Sequence, residues 1–476
     1  MQFQISRAFV ALMAGSMLLT GCQSYERKPL DLAATRDAWL TRLPSDETAS
    51  EFAQRISDNQ GYADTHLFDL SDGLSLAEAE LVALVFNRNL RLARLEANVT
   101  RATAEHAGLW DDPALDLNFA RIISGVPDPW VAGGAIGLTI PISGRLEAQK
   151  EKAGAKHTAE LHRLAATEWA TRTALRKIWI KWSAQMARAK LMTKQIDRLR
   201  SAADFAHRQE QAGVLSKIEE RLLRVELAGS QAQIIETIAI ARDLELQLRD
   251  ILGLAPDAPV QLVETVVFVP RGTGRDWLLD SMETGNLELV AVRSEYEVAE
   301  ESLRLEIRKQ YPDLTIGPGF GGDEGDERLL LGVRLPIPLW NRNQQSVAEA
   351  HASREVAYGR FENTYERLAS RLAIVLIRYE AGRAMRQAVE TSVVPLADEQ
   401  DANVRRVAEL DRVDPLLLLQ AIKVQHEAKV RLVDARVSEA IGAIGLDYLI
   451  GPPVSVEGIP HSSPISSDPN IKGDSP

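Results

Sequence analysis

Apolar and polar residues along most of the chain alternate with the period of an α-helix. From Ser75 to Trp110 the apolar positions recur at three- and four-residue spacing, which predicts one helix that Asp111-Asp112-Pro113 ends. No proline occurs between Gly144 and Leu252, a stretch too long for one helix of a compact domain. We expect the break at Gly213 to Ser216, because glycine ends helices and serine caps them. The helix before this break would be about 100 Å long.

Two places along the chain carry short runs that alternate with the period of a β-strand. They predict two hairpins, with strands at about 113–123 and 133–142, and at about 312–322 and 327–338. In the first strand, Leu115, Leu117 and Phe119 alternate with Asp116 and Asn118. One strand face therefore suits lipid and the other suits water, although a soluble hairpin with one face on a core shows the same alternation.

The second half of the chain repeats the order of the first. A second half-length helix is predicted from Leu278 to Gln310, and a second hairpin follows it. Three pairs of landmarks lie 195 or 197 residues apart: Gly137-Leu-Thr-Ile-Pro141 and Gly332-Val-Arg-Leu-Pro336, Asn89-Leu90 and Asn286-Leu287, and Gly213 to Glu219 and Ala408 to Asp414. This spacing indicates a tandem duplication, with repeats at 75–255 and 275–450 and a linker at 256–274.

The N-terminus has the features of a secretory signal, residues 1–21. Arg7 precedes a short apolar run, and Leu19-Thr20-Gly21-Cys22 resembles the bacterial lipobox. Cys22 is the only cysteine, so an internal disulfide is excluded. Cys22 is then either lipidated or a free thiol. We expect lipidation, with diacylglycerol and an N-acyl chain on this residue. Gln23 in place of aspartate favours the outer membrane. Residues 22–74 would form a lipid-anchored arm, and the tail 451–476, rich in Ser, Pro and Gly, is predicted to be disordered.

Composition and motifs argue against several functions. The net charge is −12 with basic and acidic residues intermixed, which argues against nucleic acid as a partner. The eight histidines include no i, i+4 pair, and no nucleophile, base or metal cluster can be assembled, so we predict neither an enzyme nor a metal site. Gly317 to Gly322 lacks the ending of a phosphate loop. Asp323 to Glu327 could hold calcium, but an exposed hairpin loop explains it without an ion.

Two further residue types have structural interpretations. Trp179 and Trp182 lie on or beside the apolar seam of the first long helix and are interpreted as packing residues rather than ligand-stacking ones. Pro395 lies inside a predicted long helix and should kink it or mark a junction.

The two repeats, the strand ends at 137–141 and 332–338 and the tip Gly213 to Ser216 together resemble the TolC-like outer-membrane efflux proteins. The resemblance implies a mainly α fold with a transmembrane β part, in which three chains form one twelve-stranded β-barrel and a periplasmic helical tunnel. Four strands alone cannot close a barrel. The resemblance to the TolC-like proteins also implies a periplasmic adaptor and an inner-membrane pump as partners. Residues 336–344 are most similar to the branch that serves heavy-metal resistance-nodulation-division (RND) pumps.

The resemblance also implies roles for the ends of the helical hairpins. The tips would contact the adaptor, and the matching positions are Gly213, Val214, Leu215 and Ser216, and Ala408, Glu409, Leu410 and Asp411. Simple helix capping explains the same residue types. Repeated in a trimer, Asp411 and Asp414 would form a carboxylate ring at the tunnel entrance, which would favour cations.

The sequence thus predicts a lipid-anchored channel subunit of the outer membrane that passively conducts solutes, heavy-metal cations among them, from a pump to the exterior. Two alternatives remain: a periplasmic lipoprotein scaffold that never enters the membrane except through Cys22, and a periplasmic pump adaptor. The paired hairpins at equivalent points of a duplication favour the channel over both.

Overall fold

The computed structural model describes residues 25–44, 71–121, 123, 130–323, 326–408 and 414–453. The predicted signal segment, Cys22 and residues 454–476 of the predicted tail lie outside these ranges. A short N-terminal unit ends at Arg42 and contains helix α1, Leu32–Leu40, whose first turn is capped by Asp31. The second unit, from Leu43 onward, holds both repeats.

The two repeats have the same order of elements. The first consists of α2 Leu76–Phe86, α3 Arg88–His106, β1 Ala114–Arg121, β2 Trp130–Ile140, α4 Arg145–Gln211 and α5 Lys217–Leu252. The second consists of α6 Arg275–Gly285, α7 Leu287–Arg308, β3 Leu314–Asp323, β4 Asp326–Arg334, α8 Gln344–Ala388, α9 Val394–Ala408 and α10 Pro415–Ile450. This order confirms the duplication of helix, hairpin and long helix.

Each half-length helix is broken, which the sequence did not predict. The expected single helix from Ser75 to Trp110 is interrupted at Asn87 and ends at His106, and the expected helix from Leu278 to Gln310 is interrupted at Asn286. Both asparagines have a non-helical backbone, and their side-chain oxygens accept hydrogen bonds from the first turn of the next helix. The apolar period continues through both breaks, so periodicity alone cannot show them.

The structure also corrects the register of the duplication. The sequence paired Asn89 with Asn286, but the residue in the equivalent position is Asn87, which caps α3 as Asn286 caps α7. The sequence likewise paired Ser216 with Asp411, but the residue that caps α10 is Asp414. The helical parts of the repeats are therefore offset by 198 or 199 residues rather than by 195.

Helix α4 is the longest element and organises the helical part. It has 67 residues, a length of about 100 Å, and packs against α3, α5, α7 and α10. Helix α8 packs against α7 and α10. Because α4 belongs to the first repeat and α7 and α10 to the second, the repeats are packed side by side along their length.

Trp179 and Trp182 are packing residues, as predicted. Trp179 is fully buried between α2, α4 and α5, and its ring meets that of Trp182 edge to face with centroids 5.9 Å apart. The indole N–H of Trp179 donates to the carbonyl oxygen of Val263 at 3.0 Å. Its polar atom is thereby satisfied, which leaves no ring face or donor for a ligand.

Pro395 marks a junction, as predicted. A five-residue π-helical turn, Val389–Val393, separates α8 from α9, and Pro395 is the second residue of α9. Proline has no backbone N–H to donate to a carbonyl one turn earlier, and a wider turn accommodates its ring. The long helix of the second repeat is therefore divided where that of the first, α4, is continuous.

The four strands form one sheet in the order β1-β2-β3-β4, and all neighbours are antiparallel. The central pair, β2 and β3, joins the two repeats, with Leu138 opposite Ile316 and Thr139 opposite Thr315. The predicted strand at 312–322 begins two residues later than expected, and that at 327–338 ends at Arg334. Pro336 and Pro338 lack the N–H that a longer strand would need.

Candidate functional sites: the sheet faces and the helical tips

One face of the sheet is apolar and exposed. The register brings Leu117 of β1 opposite Gly134, Gly134 beside Phe320, and Phe320 opposite Leu329. Phe119 is 75% exposed and Leu329 is 87% exposed. The other large apolar side chains on this face are Leu115, Ile136, Leu138, Ile316, Leu331 and Val333. A continuous exposed apolar surface of this kind marks an interaction site or a membrane contact.

The opposite face carries mainly small and polar residues, with Val131 and Leu330 as its larger apolar side chains. Its central positions are glycines, with Gly137 on β2, Gly317 and Gly319 on β3 and Gly332 on β4. A Cβ on Gly319 would lie 3.0 Å from the Cβ of Ala135, so the strands approach closely there. The remaining positions include Asp116, Asn118, Thr139, Thr315, Arg328 and Arg334. The sheet thus has one face for an apolar environment and one for water.

The sheet is open at both edges. Strand β1 has β2 as its only neighbour and β4 has β3, within the part of the chain that the structure describes. An open edge presents a row of backbone donors and acceptors that another strand can satisfy. Two such edges on one sheet allow copies of the chain to join edge to edge.

The base of the sheet is tied to the long helices by one acidic residue. Asp313, directly before β3, pairs with the guanidinium of Arg145 and accepts a hydrogen bond from the hydroxyl of Ser143 at 2.8 Å. Arg145 also donates to Asp111 at 2.6 Å. Because Arg145 and Asp313 come from different repeats, their ion pair connects the repeats where strands meet helices.

The first helical tip, Gly213 to Ser216, is a tight and fully capped turn. Gly213 has φ of 73°, and the N–H groups of Gly213 and Val214 donate to Glu210 and Gln209, both at 2.9 Å. The hydroxyl of Ser216 accepts from the N–H of Glu219, and the carboxylate of Glu219 accepts from the N–H of Ser216 at 2.9 Å. The hydrogen bonds from Ser216 lower the pKa of Glu219.

The two tip residues between these caps differ in exposure. Val214 is 75% exposed, whereas Leu215 packs against a cluster that contains Leu223 of α5 and Leu419 of α10. This cluster brings the end of the first helical hairpin against the start of α10. Val214 is therefore the apolar side chain that this tip offers to a partner.

The second tip is described only at its margins. Helix α9 ends at Ala408, and Glu409, Leu410 and Asp411 lie outside the described residues. Asp414 is exposed, and its carboxylate accepts from the N–H of Leu416 at 2.8 Å, with Pro415 at the first helical position. Asp414 thus caps α10 whether or not it also faces a tunnel.

Sequence reasoning missed a buried ion-pair network between the repeats. Arg176 of α4 pairs with Glu80 of α2 and donates to Asp447 of α10 at 2.7 Å, and Arg271 of the linker donates to the other oxygen of Asp447 at 2.6 Å. Burial lowers the pKa of Arg176, but the hydrogen bonds and charges of Glu80 and Asp447 outweigh it and raise that pKa. Arg176 also lies over the ring of Trp169 at 5.2 Å.

The sequence gives little sign of this network, because its members are up to 367 residues apart and each lies in an ordinary amphipathic helix or in the linker. A buried charge with such partners holds elements in one arrangement. Glu80, Arg176 and Asp447 therefore tie both repeats to one another around the middle of the helical part.

The described residues contain no group of three or more His, Cys, Asp or Glu side chains placed to hold a metal ion. Among the helices in those ranges, none is both long and apolar enough to cross a bilayer.

Comparison with known proteins gives a relative whose sequence matches part of the chain. No protein-family model matches it. It is 25% identical over 267 residues to the cobalt-zinc-cadmium resistance protein CzcC of Cupriavidus metallidurans, an alignment that covers 56% of this chain and 63% of that protein. The chain thus matches less than two thirds of the length of that relative.

Solved structures with the same fold include two outer-membrane proteins. The outer-membrane protein VceC of Vibrio cholerae superposes with a TM-score of 0.66 and 17% identity, over 79% of this chain and 96% of that one. The outer-membrane channel OprN superposes with a TM-score of 0.66 and 14% identity, over 90% and 98%. With its two repeats, four-stranded sheet and long helical hairpins, the chain has the fold of the TolC-like outer-membrane efflux proteins.

Proposed function

We propose that the chain is the outer-membrane channel subunit of an efflux pump, and that three copies form one channel. The observation that carries the proposal is the sheet: one face is apolar and exposed, the other is mainly small and polar, and both edges are open. A closed barrel of several such sheets would place the apolar face in lipid and the polar face around water.

The longest strand of the sheet is long enough to cross a bilayer. Strand β2 has 11 residues and, at about 3.3 Å per residue and a tilt of about 40°, would span about 28 Å. The apolar band of an outer-membrane barrel is about 25 Å tall. The four strands of one chain are too few to close, and three chains would supply twelve.

The helices offer surfaces for the same assembly. On α5, Ile218, Leu222 and Val225 follow one another at helical spacing and are all exposed; on α3, Leu92 and Leu95 are exposed in the same way. Rows of exposed apolar residues at three- and four-residue spacing are suited to packing against helices of another copy. The helical parts would then surround a tunnel continuous with the barrel.

The proposed partners follow from this arrangement. The lipid on Cys22 would anchor the chain in the outer membrane, and the helices would extend into the periplasm. Their tips, with Val214 exposed, would contact a periplasmic adaptor and through it an inner-membrane pump of the RND type. The name of the relative CzcC supports heavy-metal cations as the exported solutes. A scaffold without a channel would have no use for a sheet with two unlike exposed faces.

Reconstitution of the mature protein in planar bilayers tests the channel. Detergent-extracted protein should sediment as a trimer and give discrete single-channel conductance steps. Monomers that bind membranes only through Cys22 and never conduct would overturn the proposal and support the lipoprotein scaffold.

The carboxylate ring is tested separately. Asp414→Asn removes the charge and keeps a side chain that caps helices equally well, so the fold should be unchanged. The permeability ratio of cations to anions should fall in Asp414→Asn and fall further when Asp411→Asn is added. The control Asp257→Asn changes an exposed loop residue in the linker and should leave the ratio unchanged. An unchanged ratio in the double variant would exclude the ring.

The adaptor contact is tested in cells. Val214→Asp should abolish metal resistance in a strain that depends on this protein, while the purified variant still forms conducting trimers. The control Ile235→Asp places the same charge on an exposed position of α5 far from the tip. Full resistance in Val214→Asp would show that this tip does not take part in pump assembly.

A further inference from the structure

The second repeat contains an insertion between its last strand and its long helix. Gly144 and Asn343 are equivalent, because each lies directly before a long helix and has a left-handed backbone, with φ of 71° and 53°. Pro141 and Pro336 are equivalent as the residues that end the paired strand motifs. Two residues lie between Pro141 and Gly144 and six between Pro336 and Asn343, so the second repeat has four additional residues here. The duplicated fold does not require them.

The inserted loop is ordered by its own hydrogen bonds. The guanidinium of Arg342 donates to the carbonyl oxygen of Pro338 at 3.2 Å, and the amide of Asn343 donates to the carbonyl oxygen of Glu306 at 2.9 Å. Arg342 and Asn343 both have positive φ, an unusual conformation for residues other than glycine. These contacts fix the loop against the end of α7.

The loop and the residues that follow α7 line a shallow cavity of about 460 Å³ that is open to solvent. Its lining combines apolar side chains with polar donors: Lys309, Gln310, Ile337, Pro338, Leu339, Trp340, Asn341, Arg342 and Asn343. Lys309 is already paired with Glu306 at 2.7 Å. Arg342 donates to Pro338 through Nε only and has no carboxylate partner among the described residues, so its two terminal guanidinium nitrogens are left for an anionic ligand.

The apolar part of the loop is unusually exposed. Ile337 is 72% exposed, Leu339 is 61% exposed and Trp340 is 76% exposed. Leu331 and Val333 of β4 lie on the apolar face of the sheet, and the loop with Ile337 follows directly after the end of this strand at Arg334. A surface continuous with a lipid-facing sheet has lipid as its natural neighbour.

The position of the loop along the sheet defines which part of a lipid it meets. The hairpin turns lie at one end of the sheet, and the helices and this loop lie at the other. If the sheet spans the outer membrane as proposed, the loop lies at the periplasmic boundary, where headgroups are found. Tryptophan and arginine are favoured at that depth, because each joins an apolar body to a polar tip.

We propose that this cavity binds one phospholipid of the periplasmic leaflet per chain. Arg342 holds the phosphate, Gln310 and Asn341 face the glycerol region, and Trp340 and Leu339 contact the first carbons of the acyl chains. The inference rests on the proposed function, because it requires the sheet to lie in the membrane.

Native mass spectrometry of the delipidated, detergent-solubilised protein tests the site, with dioleoylphosphatidylglycerol as the probe. Wild type should bind about one molecule of the added lipid per chain. Arg342→Gln should weaken binding about tenfold, the size expected for one charge-assisted hydrogen bond. Trp340→Ala should also weaken it. The matched control Arg360→Gln removes an exposed arginine further along α8 and should bind lipid like wild type.

Three results would overturn the inference. Equal amounts of bound phospholipid in Arg342→Gln and wild type would show that Arg342 does not bind the phosphate. Displacement of the lipid by inorganic phosphate alone would assign the cavity to a free anion. Cross-linking between chains through Trp340→Cys would show that a second copy covers the loop. Oligomeric state and conductance are measured on the same samples, so a conducting trimer without this lipid contradicts only the inference, whereas the absence of trimers contradicts the proposed function.

Discussion

Asn87 and Asn286, 199 residues apart, make the same two contacts in the two repeats. The side-chain amide of Asn87 donates to the carbonyl oxygen of Ile251 at 2.8 Å, and that of Asn286 donates to the carbonyl oxygen of Leu449 at 2.8 Å. The oxygen of each side chain accepts from the first turn of the following helix. Each asparagine therefore caps one helix at its start and another at its end.

A glycine completes each of these junctions. Gly253 and Gly451 end α5 and α10 with φ of 71° and 78°, and a Cβ on either would lie about 2 Å from the carbonyl oxygen of the residue before the asparagine. The helix ends thus approach so closely that only glycine fits. The duplication has preserved a complete junction of asparagine and glycine rather than isolated residues.

The junction predicts a large cost for Asn286→Ala. The change leaves the buried carbonyl oxygen of Leu449 without its donor and removes the cap of α7, which together should lower the free energy of unfolding by about 2–3 kcal/mol. Guanidinium unfolding of the mature protein, at one fixed protein and detergent concentration, measures it. Asn89→Ala is the control, because Asn89 is exposed and lies two residues after Asn87, the residue that caps α3. Equal losses in both variants would contradict the assignment of Asn87 as the counterpart of Asn286.

Much of the fold could be predicted because its signals are local. Gly213 and Ser216 are a helix stop and a helix start in sequence, and the structure has a capped turn there. Pro395 marked a junction because proline cannot continue a hydrogen-bonded helix. The breaks at Asn87 and Asn286 were missed because an asparagine within an apolar period is equally compatible with a continuous helix.

Of the candidate sites, those formed by local sequence signals could likewise be predicted, and those formed by distant residues could not. Alternation predicted both faces of the sheet, since side-chain direction along a strand is a local property. The network around Arg176 could not be predicted, because its partners are chosen by packing of distant helices. The cavity beside Trp340 could not be predicted for a related reason. The insertion that forms it can be recognised only once the structure shows that Gly144 and Asn343 are equivalent.

The buried network predicts that Arg176→Met is strongly destabilising. Glu80 and Asp447 are both 6% exposed and share Arg176 as a partner. Without Arg176, the carboxylate of Glu80 keeps only its contact with Arg172, and that of Asp447 keeps only its contact with Arg271. Loss of one partner from a buried pair costs about 3–5 kcal/mol, and the remaining arginines should keep the cost near the lower value. Arg200→Met on the same helix, which removes only an exposed pair with Asp197, should change stability by less than about 1 kcal/mol. A small effect of Arg176→Met would show that the network does not hold the repeats together.

Close packing of α8 against α10 predicts opposite effects for two glycines of α8. A Cβ on Gly382 would lie 2.8 Å from the backbone nitrogen of Glu439, so Gly382→Ala must separate the helices and should cost about 1–3 kcal/mol. A Cβ on Gly359 meets nothing within 4 Å, so Gly359→Ala should stabilise the helix by up to about 1 kcal/mol. The midpoints of thermal unfolding compare the two. A destabilising Gly359→Ala would mean that another chain packs against α8 at that point.

The π-helical turn predicts a pH-dependent contribution to stability. Glu390, within the turn, accepts hydrogen bonds from Arg436 at 2.7 Å and from Arg386 at 2.6 Å, and these two partners lower its pKa below the ordinary value of 4.5. A carboxylate whose pKa is lowered by folding stabilises the folded state above the unfolded pKa, and that contribution is lost as the pH falls through the folded pKa. The turn is therefore held most firmly at neutral pH.

Glu390→Gln should accordingly unfold at a lower temperature than wild type at pH 7. The difference should shrink as the pH falls below about 4.5 and vanish once wild-type Glu390 is itself protonated. Thermal unfolding followed by circular dichroism between pH 2.5 and pH 7 measures it. The control Glu380→Gln changes an exposed residue of α8 and should follow wild type at every pH. A difference between Glu390→Gln and wild type that stays constant down to the lowest pH would show that the side chain acts through packing, and that its charge does not hold α8 and α10 together at the turn.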